Sequence, residues 1–339
     1  MYTDFYGLSE RPFDISPDPK FLHLTRSHRE TLSSMVYGIR ERRGFMAITG
    51  EVGTGKTTLV NALLNSLDDR VKTAHIFRKC ITFYELLRAI LYEFDATAGG
   101  RDRFELWQCL NEYLVSIASK NELAVLIVDE AQNLSTGMLE EIRTLSNLET
   151  QKTKLLQIVL IGQPELDAKL NSQELRQLRQ RIAIRRKVLP LTSDEIEAYI
   201  SHRLKLVGGI IYTLFTRDAI SLISRYSRGI PRTVNIICDN AFLIGYAVGQ
   251  KKIDGAIVRE VIKDMDGNLL PLEEADGGLR SSGVQGLVHE GGGFFGAFRL
   301  LLRALLENPW ARMGQRGFDP ASRAAGFGTS GSHQTQEVK

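Results

Sequence analysis

Gly50-Glu51-Val52-Gly53-Thr54-Gly55-Lys56-Thr57 is the stretch from which the rest of this chain can be read. It fills every required position of the phosphate-binding pattern G-x-x-x-x-G-K-[ST]. The apolar run Phe45-Met46-Ala47-Ile48-Thr49 leads in like a buried strand, and Thr58-Leu59-Val60-Asn61-Ala62-Leu63-Leu64 leads out like a helix. That strand–loop–helix setting gives the pattern its meaning. The glycines let the backbone curl until successive N–H groups face phosphate oxygens. The helix N-terminus beneath adds the positive end of its dipole. Lys56 is placed to reach the β- and γ-phosphates, and the Thr57 hydroxyl to ligate Mg2+. Residues Gly50 to Thr58 are therefore the candidate nucleotide-binding loop.

Further along, Leu123-Ala124-Val125-Leu126-Ile127-Val128 is a continuous apolar run ending in Asp129-Glu130. Such a run suits a strand buried on both faces of a parallel sheet. After a phosphate loop, the first acid is expected to hold Mg2+ and the second to polarise the attacking water as a general base. Metal candidates are thus Thr57 and Asp129, and the candidate base is Glu130.

The composition is compatible with a globular enzyme of two domains. The chain has 339 residues, 43% hydrophobic and 24% charged, with a net charge of +3. That charge marks neither a strongly basic nor an acidic partner surface. Cys80, Cys109 and Cys238 lie far apart without C-x-x-C spacing, which argues against disulfides and zinc and suits a reducing compartment. The N-terminal residues lack the basic and apolar regions of a secretory signal, and no apolar run is long enough to span a bilayer. A cytoplasmic protein is expected.

The pattern divides the chain into four parts. Residues 1–30, with Pro12, Pro17 and Pro19, read as an extended, turn-rich lead-in that contributes to the nucleotide site, with Ser27 capping the helix that follows. Residues 31–190 alternate strands (45–49, 72–77, 123–128, 156–161, 183–189) with helices (57–67, 82–94, 103–120, 136–149, 173–180), the pattern of a parallel sheet covered on both faces. Residues 191–266 read as helices only, near 193–207, 216–227, 231–248 and 254–264, a C-terminal all-helical lid. Residues 267–339 hold nearly half of the 30 glycines and read as a largely flexible tail. Within it, Phe294 to Leu306 forms an amphipathic pattern with Arg299 and Arg303 four apart, suited to the inner-membrane surface or to docking on a protein partner.

Three further positions complete the candidate site. The strand 156–161 ends in Gly162-Gln163-Pro164, where Gln163 can lie between the two earlier motifs and orient water. Arg181 immediately precedes the last strand, where an arginine can face a neighbouring subunit's γ-phosphate; Arg179 is the second choice. Arg232, in Gly229-Ile230-Pro231-Arg232, starts a helix of the helical part, from which it can close onto bound nucleotide. Gln132 and Asn133 are assigned to capping the helix after the acidic pair. The basic stretch Arg176, Arg179, Arg181, Arg185, Arg186, Lys187 could contact nucleic-acid phosphates. Its alternation with Ile182, Ile184 and Val188 favours instead a strand with one exposed face.

This set of motifs, in this order, resembles the AAA+ ATPases. The lead-in motifs Tyr6-Gly7-Leu8, Arg11-Pro12-Phe13 and Pro17-Asp18-Pro19-Lys20-Phe21-Leu22 resemble, within that class, ATPases like the A component of the general secretion pathway. So do Val128-Asp129-Glu130-Ala131-Gln132-Asn133-Leu134, Ile161-Gly162-Gln163-Pro164-Glu165-Leu166 and Gly229-Ile230-Pro231-Arg232. The resemblance, over residues 1–266, implies a P-loop NTPase fold, ATP as nucleotide, hydrolysis in a homo-oligomeric ring and service to a secretion, pilus or exopolysaccharide system. Transposition helpers and replication initiators, which bind DNA, share the same core and form the alternative. Secretion-pathway members also carry a transmembrane segment and a peptidoglycan-binding domain after the ATPase, and neither pattern occurs after residue 266. Arg78-Lys79 stands where the family has a small polar residue and Pro, so no residue restraining Glu130 is named from sequence.

Overall fold

The computed structural model describes residues 1–14, 18–77, 82–96, 102–150 and 153–266. The Gly-rich tail, its expected helix at 294–306, Cys80 and the Arg78-Lys79 pair lie outside them.

Five strands form one parallel sheet: β1 Phe45–Gly50, β2 Val71–Ile76, β3 Leu123–Val128, β4 Leu156–Gly162 and β5 Ile182–Val188. Their order is β2-β3-β4-β1-β5. β1, β3 and β4 are buried along nearly their whole length, which accounts for their uninterrupted apolar sequences. β4 pairs with β1 on one side (Ile48 opposite Ile161) and with β3 on the other (Val128 opposite Leu160). The strand carrying Asp129-Glu130 is therefore separated from the phosphate-loop strand by β4, as the extra strand in the sequence allows. β5, an edge strand, carries Arg185, Arg186 and Lys187, charges that discourage edge-to-edge pairing.

Among the described residues of the first part of the chain, the helices are α1 Tyr2–Tyr6, α2 Arg26–Arg40, α3 Lys56–Ser66, α4 Phe83–Glu93, α5 Arg103–Ser119, α6 Thr136–Leu145, α7 Pro164–Leu170 and α8 Arg176–Arg181. α2 and α3 cover one sheet face through Met35, Ile39, Leu59 and Leu63. The other face packs on α4 to α8, with Leu87, Leu110, Leu139 and Leu166 among its buried residues. A helical bundle follows: α9 Ser193–Leu206, α10 Ile211–Leu214, α11 Arg217–Ser227, α12 Pro231–Ala247 and α13 Gly255–Asp266. Thr192 starts α9 with a reciprocal capping box to Glu195.

Three local expectations are corrected. The lead-in opens with a helix, α1, ended by Gly7 in the left-handed region. The prolines act only from residue 12 onward, so Tyr2, Phe5 and Tyr6 are free to form one helical face. Tyr2 stacks on Phe242 at 5.6 Å, Tyr6 meets the same ring at 4.6 Å, and Phe5 meets Tyr246 at 5.4 Å. Leu8, Phe13 and Phe21 join the same core, so the lead-in completes the helical bundle. Second, α2 is capped by Thr25; the Ser27 hydroxyl instead accepts from Leu189 N at 3.0 Å, tying α2 to the end of β5. Third, α6 stops at Leu145, and the two short helices α7 and α10 stand where no helix was assigned, being too short to show a period.

Candidate nucleotide-binding site

The loop between β1 and α3 bends through Gly53 at φ +81° and Gly55 at φ +93°, conformations that side-chain-bearing residues avoid. Both glycines also lack room for a side chain. A Cβ on Gly55 would lie 3.0 Å from His28 Nε2, and one on Gly53 would lie 2.9 Å from Arg232 Cβ. Gly55 is the N-cap of α3, so the N–H groups of Lys56, Thr57 and Thr58 form that helix's first turn and have no intrahelical partner. Lys56 is buried and donates to the carbonyls of Gly50 at 2.8 Å and Glu51 at 3.0 Å. Burial lowers its pKa, while the nearby carboxylates of Glu130 and Asp129 oppose that shift.

His28, buried on α2, braces this loop. Its Nδ1 contacts Thr25 Oγ1 at 2.6 Å and its Nε2 contacts the Thr54 carbonyl at 2.8 Å. Only N–H can bond a carbonyl, so Nε2 carries the proton and Nδ1 accepts from the hydroxyl. Burial holds the His28 pKa below its ordinary value, favouring the neutral ring. His28 lines the cleft and secures the loop.

Asp129 and Glu130 stand at the C-terminal end of β3. Burial raises the Asp129 pKa, and its Oδ1 accepts from Glu130 N at 2.8 Å. Glu130 adopts φ +52°, unusual for a residue with a side chain. Its Oε2 accepts from Gln163 Nε2 at 3.0 Å, across the gap between β3 and β4, and also from Gln132 Nε2. The assignment of Gln132 to helix capping is corrected: Ser135 caps α6, and Gln132 turns inward to the acid. Nothing in local sequence distinguishes the two uses of an amide.

These elements surround one cleft of about 450 Å³, a size suited to a small-molecule ligand. Val52 to Thr58, Glu130, Gln163 and Arg232 all line it. Arg232, behind Pro231 at the start of α12, contacts the phosphate loop through its backbone N–H to the Gly53 carbonyl at 3.4 Å. The cleft is lined as well by Phe21, Leu22 and His23 of the lead-in and by Tyr199 and Arg203 of α9, with the Arg203 guanidinium over the Phe21 and Tyr199 rings. The lining thus combines backbone N–H groups with apolar and cationic side chains, a mixture that fits a nucleotide. Thr57 within the cleft and Asp129 beside it offer hydroxyl and carboxylate oxygens. Two such donors are what Mg2+ needs when phosphates and water complete its shell.

Arg181 is not among the residues brought together. Its Nη1 donates to Ser146 Oγ at 2.6 Å and Asn147 Oδ1 at 2.7 Å. It precedes Ile182, which pairs with Phe45 at the end of β1 opposite the phosphate loop. The basic strand is also engaged internally. Arg185 pairs with Asp167 at 2.8 Å, Asp167 accepts from Thr49 Oγ1 at 2.6 Å, and Arg186 donates to Ser34.

A phosphate loop on β1, an acidic pair on β3 with a further strand between them, and a helical bundle closing the cleft define the AAA class. Residues 39–170 match the family model described as "AAA domain", and the chain carries such a domain. Over 257 residues the chain is 45% identical to General secretion pathway protein A of Aeromonas hydrophila, a match covering 75% of this chain and 46% of that protein. The chain therefore spans about half the length of this curated relative. Among solved structures, the ORC2 protein of Aeropyrum pernix has the same fold, with a TM-score of 0.58 at 17% identity over 78% of this chain and 73% of that one. Cdc6p of Pyrobaculum aerophilum gives 0.55 at 19% over 76% and 75%. Among the described residues, no helix is long and apolar enough to cross a membrane.

Proposed function

We propose that this chain is an ATPase that binds MgATP between a core, residues 31–190, and a lid, residues 191–266, with the lead-in strapped to the lid. The observation that carries this reading is the convergence of Lys56, Glu130, Gln163 and Arg232 on one cleft. The loop N–H groups and Lys56 hold the phosphates, Glu130 activates water, Gln163 orients it, and Arg232 brings the lid onto the transferring group. Mg2+, held by Thr57 and Asp129, supplies charge neutralisation on the phosphates. Arg181, immediately before the edge strand β5, is assigned in this reading to a neighbouring subunit's nucleotide in a homo-oligomeric ring. Similarity to General secretion pathway protein A supports service to a bacterial secretion system.

The test is Glu130→Gln, which keeps the side-chain volume and removes the base. ATP binding should stay within about twofold while steady-state turnover falls by roughly 100-fold or more, the scale of general-base catalysis. Turnover equal to that of the unmodified protein would refute the assignment.

A further inference from the structure

We infer that Gln132 is a positioning residue for hydrolysis, holding the Glu130 carboxylate on the far side from the nucleotide. The inference rests on the ATPase reading above and adds to it a residue that never touches ATP.

Glu130 needs a restraint. Its backbone is in the left-handed region, so its side chain leaves the strand in a direction that ordinary strand geometry does not impose. Two amides meet its Oε2, one from Gln132 and one from Gln163. They are not equivalent. Gln163 lines the cleft and so also faces the nucleotide. Any turn of that amide toward phosphate or water removes its bond to Glu130. Gln132 is 8% exposed and does not line the cleft, so its bond to Glu130 has no competitor there.

Gln132 is itself anchored on its other sides. Its Oε1 accepts from Gln163 N at 3.1 Å, and its backbone carbonyl accepts from Lys169 Nζ, which also donates to the Leu134 carbonyl at 2.8 Å. A Cβ at position 162 would sit 2.8 Å from Gln132 Oε1, so the glycine at the end of β4 keeps that seat open. The carboxamide thus uses its acceptor on β4's end and its donor on the acid at β3's end. A carboxamide carries both functions on one planar group, the acceptor and the donor side by side.

The experiment uses the full chain with Gln132→Glu and Gln132→Met. Glu keeps the shape and the acceptor for Gln163 N but loses the donor and sets a like charge beside Glu130; Met fills similar volume, adds no charge and loses both functions. Turnover is measured at steady state, affinity with a fluorescent ATP analogue, and folding by thermal melting. Each variant should lower kcat by about ten- to a hundredfold, the loss expected when a reacting group is displaced by about an ångström, with affinity within about twofold. The readout that a merely structural role would not move is the double-mutant comparison, taken under single-turnover conditions with enzyme in excess. In the Glu130→Gln background, either substitution should cause little further loss, because Gln132 acts through Glu130. Full turnover in either folded variant, or a loss that adds undiminished to that of Glu130→Gln, overturns the inference. If Glu130→Gln itself turns over ATP like the unmodified protein, the ATPase reading fails first and this inference falls with it.

Discussion

Gly53 occupies one of the free positions of the phosphate-loop pattern, yet Gly53→Ala should be among the most damaging small substitutions in the chain. Its φ of +81° costs an alanine roughly 1–2 kcal/mol. The new methyl would then lie 2.9 Å from Arg232 Cβ and 3.0 Å from Ile230 Cγ2. Arg232 Cβ is fixed to the start of α12 and cannot swing aside, so relief requires shifting that helix end, an overpacking cost of about 1–3 kcal/mol. The expected loss is therefore about 2–5 kcal/mol. Gly249→Ala is the control: Gly249 has φ +71° and nothing within 4 Å, so it should lose only the backbone cost, roughly 1–2 kcal/mol. Urea unfolding of both variants gives the difference, and titration with a fluorescent ATP analogue shows whether displacing Arg232 weakens binding, expected at about tenfold or more, equivalent to ~1.4 kcal/mol. A Gly53→Ala protein matching Gly249→Ala in both stability and affinity would refute the claim that the lid rests on the loop at this point.

Phe13→Ala tests whether the lead-in belongs to the lid. Phe13 is fully buried against Phe242, with ring centroids 6.0 Å apart, so truncation should cost about 3–5 kcal/mol; a loss below about 1 kcal/mol in urea unfolding would contradict the packing. His28→Gln tests the neutral brace. Burial sets the folded pKa of His28 below 6.5, so the folded protein binds fewer protons than the unfolded chain in the window beneath that value. Its contribution is complete above pH 6.5 and is lost as pH falls through the folded pKa. The melting temperature of His28→Gln should therefore drop less on acidification than that of the unmodified protein, and parallel curves would rule this out.

Much of the fold was legible because its signals are local. The runs 45–49, 123–128 and 156–161 are apolar at nearly every position because both sheet faces are covered. Thr192 and Glu195 encode a capping box within one helical turn. The acidic pair after a buried strand and Gln163 before a proline were likewise readable as strand ends. Other features were not. Tyr2, Phe5 and Tyr6 look like an unremarkable terminus until Phe242 and Tyr246 supply the surface they cover. Arg185 looks like a solvated charge until Asp167 meets it.

The sequence alone determined the phosphate loop, the succession of strands and helices, and the residue types available for nucleotide chemistry, since backbone bending at Gly55 and helix initiation at Lys56 need only neighbours along the chain. The tertiary structure decided which side chains act on one another. It placed β4 between β1 and β3, brought Gln163 and Gln132 onto the same oxygen of Glu130, set Arg232 against Gly53, and left Arg181 at the opposite end of the sheet. These relations join residues from separate strands and helices. Their energies arise only when packing excludes water and holds both partners in place, and no local pattern encodes that.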